Sequence, residues 1–422
     1  MITNRIAVVG AGAAGLFAAA CVDTSPSNKI VLFEKNPFPG KKLLITGKGR
    51  CNVTNDCDLR EFLSNVPFNS KFLYSCLGKL SPQDTMDFFE SNSLPLKTER
   101  GKRVFPVSDK AADVRNTLYS TAKEKGAEFL FEKVKRISKN TDVFSIQTDK
   151  GSYDFDKVII ATGGVSYPRT GSDGDGYRFA RSFGHTVTPL SPSLVPLVCR
   201  EKFLSDLMGL SLKNVRLRIV DSQNGKEMWS DFGEMLFTHF GLSGPLVLSA
   251  SSYVRDINSF PDRYRAVIDL KPALSEEELD KRVLSDFAKN INKDFINSLG
   301  ELLPSKLIPV VVELSGIPER IKVCEITKKD RKKLVSLLKN FPLVIHSTRP
   351  IDEAIITSGG VKLSEVDPST MQSKLVEGLY FAGEILDLDA YTGGFNLQIA
   401  FSTAYTAIKA SMIQGEKDVE NY

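Results

Sequence analysis

Residues 6–22 read IAVVGAGAAGLFAAACV, with glycines at positions 10, 12 and 15. The apolar residues before the first glycine predict a short buried strand, and the alanine-rich residues 13–23 predict a helix. A second β-branched strand follows at residues 29–33. Strand, helix and strand in this order predict a βαβ unit, which opens a doubly wound α/β fold with a parallel sheet.

The glycine spacing of the first turn is G-x-G-x-x-G, and each glycine has its own physical role. Gly10 permits the tight turn, Gly12 lets the backbone approach a pyrophosphate, and Gly15 lets helix and strand pack closely. The phosphates then lie against unpaired N–H groups at the positive end of the helix. Glu34 closes the second strand, where a carboxylate can accept hydrogen bonds from ribose hydroxyls. A packing turn is the alternative, but strand, helix and acid together favour a bound dinucleotide.

Length and composition describe a folded protein with more than one domain. A chain of 422 residues is too long for one ordinary core, so two or three domains are expected. The composition, 42% hydrophobic and 25% charged, is that of a globular protein. Because 55 basic residues nearly balance 51 acidic ones, the charge argues against an extended nucleic-acid interface.

The cysteines and the apolar runs predict a soluble protein of a reducing cytoplasm. The six cysteines form no C-x-x-C pair and no cluster with histidine, so neither a disulfide scaffold nor a metal site is expected. The apolar run of residues 6–22 is shorter than the roughly 20 residues that a membrane span needs. Its glycines have dinucleotide spacing, so we do not interpret it as a signal peptide. We expect no contact with a membrane.

The pattern changes in the middle of the chain, which predicts an inserted domain. Residues 215–220 and 265–270 alternate apolar and polar, as in an antiparallel sheet. Ser275 and Glu278 have capping-box spacing before a helical part, with further helices expected near residues 291–303, 306–314 and 330–340. The predicted segments are a nucleotide-binding domain over residues 1–189 and 350–422, an inserted β domain over 190–271 and 341–349, and a helical subdomain over 272–340.

A second glycine cluster selects FAD as the dinucleotide. Gly394 opens the last predicted helix, whose N-terminus favours an anion. Such a helix can stabilise negative charge on the pyrimidine ring of a reduced flavin, and Glu384 can hold ribityl hydroxyls. NAD needs no such second clamp, and the chain has only one dinucleotide fingerprint. We therefore expect non-covalently bound FAD.

Five longer motifs resemble one family of proteins. They are residues 40–55 (GKKLLITGKGRCNVTN), 103–108 (RVFPVS), 161–168 (ATGGVSYP), 237–244 (FTHFGLSG) and 378–398 (GLYFAGEILDLDAYTGGFNLQ). They closely resemble the BaiN-like and aminoacetone-oxidase-like bacterial flavoproteins, and the resemblance covers essentially the whole chain. It implies a cytoplasmic FAD enzyme with a glutathione-reductase-like FAD domain built from both chain ends, an inserted antiparallel β-barrel and a helical subdomain.

The resemblance also implies a set of FAD contacts, each at a position that matches a family motif. They are Gly10, Gly12, Ala13, Ala14, Gly15, Glu34, Lys35, Lys42, Leu43, Arg50, Cys51, Asn52, Thr54, Val134, Ala161, Thr162, Gly163, Gly164, Gly383, Glu384, Gly394, Phe395, Asn396 and Leu397. One position departs from the family pattern, because Ala390 stands where glycine is more common. The Asp-Ala-Tyr loop is therefore less free to adopt a positive φ.

The sequence offers candidates for the catalytic residues but does not assign their roles. Arg50, His239 and Tyr391 are candidates for the flavin surroundings, and a histidine would make a tunable proton donor. A structural role for His239 is an equal alternative. Cys51 and Cys57 do not have the spacing of a disulfide reductase, and we interpret them as unpaired thiols.

The sequence leaves open two functions with a stated chemistry, and also a third, a flavin-dependent sensor without turnover. The first is an FAD-dependent oxidoreductase that transfers hydride between a small-molecule substrate and flavin N5. Dioxygen, NAD(P) or an organic acceptor then reoxidises the flavin, and NAD(P)H is a possible transient electron donor. The second is an RNA-associated flavoprotein, as in tRNA modification, in which the basic residues at positions 328–333 contact phosphates. They are Lys328, Lys329, Arg331, Lys332 and Lys333.

Overall fold

The computed structural model describes residues 4–22 and 27–412, and it divides the chain into two compact units. Residues 1–191 and 351–422 form the first, which we call the terminal unit. Residues 192–350 form the second, which we call the inserted unit. Within the described ranges, no helix combines the length and apolar character needed to cross a bilayer.

The strands of the described residues are named in chain order. They are β1 (Asn4–Val9), β2 (Asn28–Phe33), β3 (Thr54–Asn55), β4 (Leu96–Glu99), β5 (Arg103–Pro106), β6 (Glu128–Leu130), β7 (Val134–Asn140), β8 (Val143–Thr148), β9 (Ser152–Phe155), β10 (Lys157–Ile160), β11 (Ser191–Ser193), β12 (Leu197–Cys199), β13 (Ser211–Asp221), β14 (Glu227–Thr238), β15 (Gly241–Ser243), β16 (Tyr264–Asp269), β17 (Phe341–Thr348), β18 (Ile356–Ser358) and β19 (Leu379–Phe381).

The α-helices are named in the same way. They are α1 (Ala13–Ala20), α2 (Leu59–Ser64), α3 (Tyr74–Lys79), α4 (Pro82–Ser91), α5 (Ala111–Glu124), α6 (Asp175–Ser182), α7 (Leu204–Leu207), α8 (Pro245–Ser251), α9 (Glu276–Lys289), α10 (Leu307–Ser315), α11 (Lys328–Lys339) and α12 (Phe395–Ser411).

The terminal unit is built on a five-stranded sheet in the order β19-β10-β1-β2-β6. Every pairing in it is parallel, so all five strands end at one edge. The central strand β1 has fully buried residues such as Ile6 and Val8, as a strand covered on both faces requires. Helices α1 and α12 pack on each other, and the rings of Phe17 and Phe401 stack with centroids 4.6 Å apart.

Both of these helices begin at the edge where the strands end. Helix α1 follows β1 through the glycine turn and therefore runs antiparallel to it. At the opposite edge, Asn4 at the start of β1 donates a side-chain hydrogen bond to the carbonyl of Ser411, the last residue of α12, at 3.0 Å. Helix α12 thus ends where β1 starts, and its N-terminus lies near the carboxyl edge of the sheet.

The inserted unit contains a closed barrel in the order β12-β15-β14-β13-β16-β17. Its pairings are antiparallel, and Leu217 and Ile219 of β13 are fully buried. The predicted capping box of α9 is present, because Ser275 and Glu278 each accept the other's backbone N–H. A Rossmann-type terminal unit and an inserted antiparallel barrel confirm the predicted fold class.

Two predicted helices differ from the structure. Residues 291–303 form no α-helix and contain only a short 3-10 turn, Phe295–Ser298. The backbone N–H of Phe295 donates to the carbonyl of Ile321, and the carbonyl of Ile291 accepts from Cys324, so this segment combines short turns with hydrogen bonds to a neighbouring loop. Helix α1 ends at Ala20, and residue 23, the end of the predicted helix, lies outside the described residues.

Candidate functional site

The three glycines of the first turn have the three environments that their roles require. Gly10 has φ +102°, and a Cβ there would lie 2.7 Å from the carbonyl oxygen of Ala161. A Cβ on Gly15 would lie 1.9 Å from the carbonyl oxygen of Gly10, so the helix packs directly on the turn. Gly12 differs from both, because a Cβ there would meet no protein atom within 4 Å. Its backbone therefore borders space at the start of α1.

Glu34 lies beside this turn and is held by the backbone. One carboxylate oxygen accepts the N–H of Ala11 at 3.1 Å. The other accepts the backbone N–H of Asn36 at 2.8 Å and its side-chain amide at 2.7 Å. The side chain is largely buried. Strand β2 thus ends in an oriented carboxylate next to the start of α1, as ribose recognition requires.

The strand ends, α1 and the start of α12 meet in the terminal unit. A Cβ on Gly383, just after β19, would lie 3.0 Å from the methyl group of Ala14 and 3.7 Å from that of Ala400. Gly394 caps α12 with φ +102°, and a Cβ there would lie 2.2 Å from the carbonyl oxygen of Thr54. The two glycine clusters that are distant in sequence therefore belong to one surface of one unit.

The surface of this edge has the electrostatics of an anion site. The first turns of α1 and α12 carry N–H groups without an intrahelical partner. Aligned peptide dipoles add positive partial charge at both helix starts. Neither helix has an acidic residue in its first turn, and neither capping glycine offers a side chain to those N–H groups. Both helix ends can therefore accept an external anion or acceptor atom.

Four buried polar atoms of the terminal unit have no hydrogen-bond partner among the described residues. They are Asn52 Oδ1, Thr162 Oγ1, Asp387 Oδ1 and Arg115 Nε. Asn52 and Thr162 belong to the predicted cofactor contacts, and Asp387 lies in the loop before α12. An unpaired buried polar group is costly, and a polar ligand at this edge would supply partners for Asn52 and Thr162. The residues present thus fit a large polar cofactor at this edge.

Glu384 is the centre of a polar network that sequence reasoning identified only in part. Its Oε2 accepts from Lys42 Nζ at 2.7 Å, and its Oε1 accepts from Ser166 Oγ and from the backbone N–H of Thr357, each at 2.9 Å. Lys42 also donates to Ser166 Oγ at 2.6 Å. Ser166 and Thr357 were not predicted as site residues.

Arg50 lies on the small sheet of β3, β5 and β4. Its guanidinium stands over the ring of Phe105, 4.1 Å from the centroid, and donates to Asp109 at 2.8 Å and to Glu99. Hydrogen bonds to Glu99 and Asp109 raise the pKa of this arginine. These contacts hold the guanidinium among carboxylates of its own unit.

Cys51 and Cys57 have the properties of separate buried or half-buried thiols, and not those of a redox-active pair. Cys51 is fully buried, and burial raises the pKa of its thiol to about 12. Burial also raises the pKa of the Cys57 thiol to about 12. Neither is in a disulfide. Because the thiolate is the reactive form, burial and the raised pKa both disfavour reaction of Cys51 near neutral pH.

The loop before α12 is closed without the glycine that the family more often carries. Ala390 is fully buried, and its N–H donates to Asn396 Oδ1 at 2.8 Å. Its carbonyl accepts from Asn396 Nδ2 at 2.7 Å. The backbone N–H of Tyr391 donates to the carbonyl of Asn65 at 2.9 Å. Asn396 therefore braces the loop from the first turn of the helix.

Comparison with known proteins identifies the family. The family model described as "HI0933-like protein Rossmann domain" matches residues 4–410. The chain belongs to the HI0933-like Rossmann family. This confirms the resemblance to BaiN-like flavoproteins, and the chain is an enzyme of a flavin-dependent oxidoreductase family.

Three relatives align with almost the whole HI0933-like chain. A 3-dehydro-bile acid delta(4,6)-reductase of Clostridium scindens is 31% identical over 97% of this chain and 99% of the relative. A ribosomal RNA dihydrouridine synthase of Escherichia coli is 30% identical over 94% of this chain and 95% of the relative. Another protein of that name, from Haemophilus influenzae, is 32% identical over 94% of this chain and 96% of the relative.

Two other predicted contacts of the HI0933-like chain lie in the terminal unit. Lys35 follows Glu34 and forms ion pairs with Asp173 at 2.5 Å and Asp175 at 3.2 Å. Val134 is buried at the start of β7.

The three histidines have distinct environments. His239 is exposed in the two-residue turn between β14 and β15 of the inserted unit. His346 Nδ1 lies 3.1 Å from Asp262. His185 is buried in the terminal unit, 2.7 Å from Ser373 Oγ and 3.2 Å from Glu365. Burial lowers the pKa of His185, against the opposing effect of Glu365.

The basic run of the inserted unit lies at the start of α11. Lys328, Lys329, Lys332 and Lys333 line a shallow surface depression together with Ser336. Arg331 points elsewhere and forms an ion pair with Asp280 at 2.7 Å. The lysines therefore form a basic patch on one helix face, which we call the α11 patch.

Proposed function

We propose that this chain binds FAD non-covalently along the carboxyl edge of the terminal sheet and uses it as an oxidoreductase. The observation that carries the proposal is the contact geometry of Gly383, which lies against Ala14 of α1 and Ala400 of α12. This geometry brings the N-termini of α1 and α12, which both favour anions, to the carboxyl edge of the sheet. An extended dinucleotide with a flavin ring requires such an arrangement.

The proposed contacts follow the parts of the cofactor. The amides of residues 10–15 hold the pyrophosphate, Glu34 holds the adenosine ribose, and Glu384 holds the ribityl chain. The amides of residues 394–397 face the flavin pyrimidine. The remaining proposed contacts are Lys35, Leu43, Arg50, Cys51, Asn52, Thr54, Val134, Ala161, Thr162, Gly163 and Gly164. Lys42 belongs to the hydrogen-bond network of Glu384.

We further propose a class of substrate, a carbon–carbon double bond conjugated with a carbonyl. The relatives' names support this class. A 3-dehydro-bile acid with double bonds at positions 4 and 6 has such a bond. So does uridine, which becomes dihydrouridine when its ring double bond is reduced. In both cases hydride adds to the carbon remote from the carbonyl and a proton adds to the neighbouring carbon.

The chain's own residues then have definite tasks. When bound and reduced by a donor such as NAD(P)H, FAD would supply hydride from N5, and dioxygen, NAD(P) or an organic compound is the alternative oxidant of the reduced flavin. The N-termini of helices α1 and α12 would stabilise negative charge on the cofactor without a counter-ion. Tyr391 and His239 are the proposed proton donors, through the phenol oxygen and a ring nitrogen, and Arg50 is a third candidate for substrate contact.

The experiment is a flavin and turnover measurement on the full chain. The visible spectrum of the purified protein is recorded before and after reconstitution with FAD. The loaded protein is reduced anaerobically with NADH or NADPH. The reduced protein is then mixed with a steroid carrying a 3-oxo-4-ene group or with uridine, and the oxidised protein is separately mixed with aminoacetone.

We expect flavin bands, reduction by a nicotinamide, and rapid reoxidation by the steroid enone. A protein without flavin bands that also takes up no FAD refutes the proposal. FAD binding with reduction by aminoacetone, and no reoxidation by either unsaturated carbonyl, would retain the flavoprotein and overturn the substrate class.

A second candidate function is reduction of uridine within RNA. It is favoured by the α11 patch together with the two relatives that are named ribosomal RNA dihydrouridine synthase. The balanced charge of the whole chain argues against it. Phosphate contacts would make RNA affinity fall steeply with salt, with a slope that grows with the number of lysines engaged.

The test compares the affinity for a ribosomal RNA transcript at several salt concentrations. The variant combines Lys328→Gln, Lys329→Gln, Lys332→Gln and Lys333→Gln. The matched control changes four lysines outside the patch: Lys202, Lys213, Lys226 and Lys306. Loss of affinity and of salt slope only in the patch variant supports this candidate. A flat salt response in the unmodified protein removes it.

A further inference from the structure

The carboxylate of Glu384 is almost saturated by the protein itself. A carboxylate has about four lone-pair sites. Oε1 accepts two hydrogen bonds, from Ser166 Oγ and the Thr357 N–H, each at 2.9 Å. Oε2 accepts one, from Lys42 Nζ at 2.7 Å. One acceptor site therefore remains, and it is on Oε2.

Lys42, Ser166 and Glu384 form a closed ring of hydrogen bonds. Lys42 donates to both other residues, and Ser166 donates its hydroxyl proton to Glu384. Each member comes from a different part of the chain. Lys42 follows β2, Ser166 follows β10, and Glu384 follows β19. The ring thus fixes the carboxylate relative to three strand ends at once.

The packing around the ring leaves little freedom. Ser166 and Thr357 are fully buried, and the Glu384 side chain is 16% exposed. A Cβ on Gly164 would lie 2.4 Å from Thr357 Oγ1 and 2.9 Å from Glu384 Oε1. Thr357 Oγ1 itself accepts the backbone N–H groups of Val165 and Ser166, at 2.9 and 3.1 Å. The carboxylate therefore has one orientation.

We propose that Lys42 and Ser166 are positioning residues that act on FAD only through Glu384, whose remaining Oε2 site accepts a ribityl hydroxyl. This rests on the proposed function and deepens it, because it separates residues that touch the cofactor from those that orient a contact. The competing arrangement is a direct contact of the Lys42 ammonium with a cofactor phosphate.

A double-mutant cycle on FAD affinity separates the two arrangements. The variants are Lys42→Met, Glu384→Gln and the combination of both, with the dissociation constant measured by quenching of flavin fluorescence. Each single change is expected to weaken binding about tenfold, the size of one charge-assisted hydrogen bond. If Lys42 acts through Glu384, the combined variant equals Glu384→Gln within about twofold. If Lys42 contacts a phosphate directly, the losses multiply to about a hundredfold.

Three further variants keep the result interpretable. Lys41→Met is the matched control, because Lys41 is the adjacent lysine and donates outside the ring, to the carbonyl of Arg169 at 2.7 Å. It should leave the affinity unchanged. Lys42→Arg should restore most of the affinity, since it keeps a cationic donor. Ser166→Ala should weaken binding in the natural background and have no effect beside Glu384→Gln.

Melting temperatures of the apoproteins show whether a variant is folded. If Lys42→Met unfolds the chain, the cycle is run with Ser166→Ala and Glu384→Gln and carries the same prediction. Multiplying effects overturn the positioning role and leave FAD binding in place. An unmodified protein that binds no FAD overturns the proposed function, and this inference with it.

Discussion

Gly12→Ala separates a glycine that borders a ligand from a glycine that permits packing. A methyl group at Gly12 meets no protein atom within 4 Å, and the φ of −80° suits any residue. A methyl group at Gly15 would lie 1.9 Å from the carbonyl oxygen of Gly10. The first change therefore fills the space beside the start of α1, and the second forces the helix away from the turn.

Gly12→Ala should mainly weaken FAD binding, whereas Gly15→Ala should mainly lower the stability of the apoprotein. Gly12→Ala should change the free energy of unfolding of the apoprotein by less than about 1 kcal/mol, because nothing in the protein is displaced. It should weaken FAD binding about tenfold to a hundredfold, since a charge-assisted hydrogen bond to phosphate is lost. Gly15→Ala should destabilise the apoprotein itself by about 1–3 kcal/mol, as overpacking does.

The assay is FAD titration by fluorescence quenching together with urea unfolding of the apoproteins. Gly78→Ala is the control, because a Cβ at Gly78 also meets no atom within 4 Å and the residue lies in α3. It should alter neither quantity by a measurable amount beyond the usual gain of alanine in a helix. Gly12→Ala protein that binds FAD as tightly as the unmodified protein refutes the assignment of the pyrophosphate to this turn.

Three further predictions concern single residues. Burial raises the pKa of Cys51 to about 12, so mass spectrometry should find no alkylation of Cys51 by iodoacetamide at pH 7.5 in folded protein, whereas unfolding exposes it. Burial lowers the pKa of His185 below its ordinary 6.5, so the unfolded chain takes up the proton first and the stability of the protein falls as pH drops below 6.5. The urea unfolding midpoints at pH 7.5 and pH 5 should therefore differ less in His185→Gln than in the unmodified protein. Equal differences in the two proteins would contradict this. Ser275→Ala removes the cap of α9 and should lower the free energy of unfolding by about 1 kcal/mol, measured against Ser222→Ala as a surface control.

The parts of the fold that local chemistry determines could be predicted from the sequence. Gly10 and Gly15 are required by backbone geometry within one βα turn, so their spacing alone predicts the turn. The capping box of Ser275 and Glu278 is complete within four residues. The alternating pattern of β13 predicts an antiparallel strand, although it does not state which strands close the barrel.

The parts that depend on distant partners could not. Thr357 lies in a strand of three residues, and its contacts with Glu384 and the backbone at Ser166 arise only when β18 meets the strand ends. Residues 291–303 are predicted to be helical, but hydrogen bonds to the loop at Ile321 and Cys324 interrupt the segment, which keeps only short turns. Tertiary contacts determine both the surroundings of Thr357 and the structure of residues 291–303, and the local sequence pattern does not reveal such contacts.

A crystal structure of the FAD complex would show directly whether one cofactor lies across the N-termini of both α1 and α12. We expect phosphate oxygens within about 3.2 Å of the backbone amides of residues 12–14, and flavin pyrimidine atoms within that distance of the amides of residues 394–397. An FAD molecule that contacts only one of these helix starts, or that lies outside the terminal unit, would contradict it.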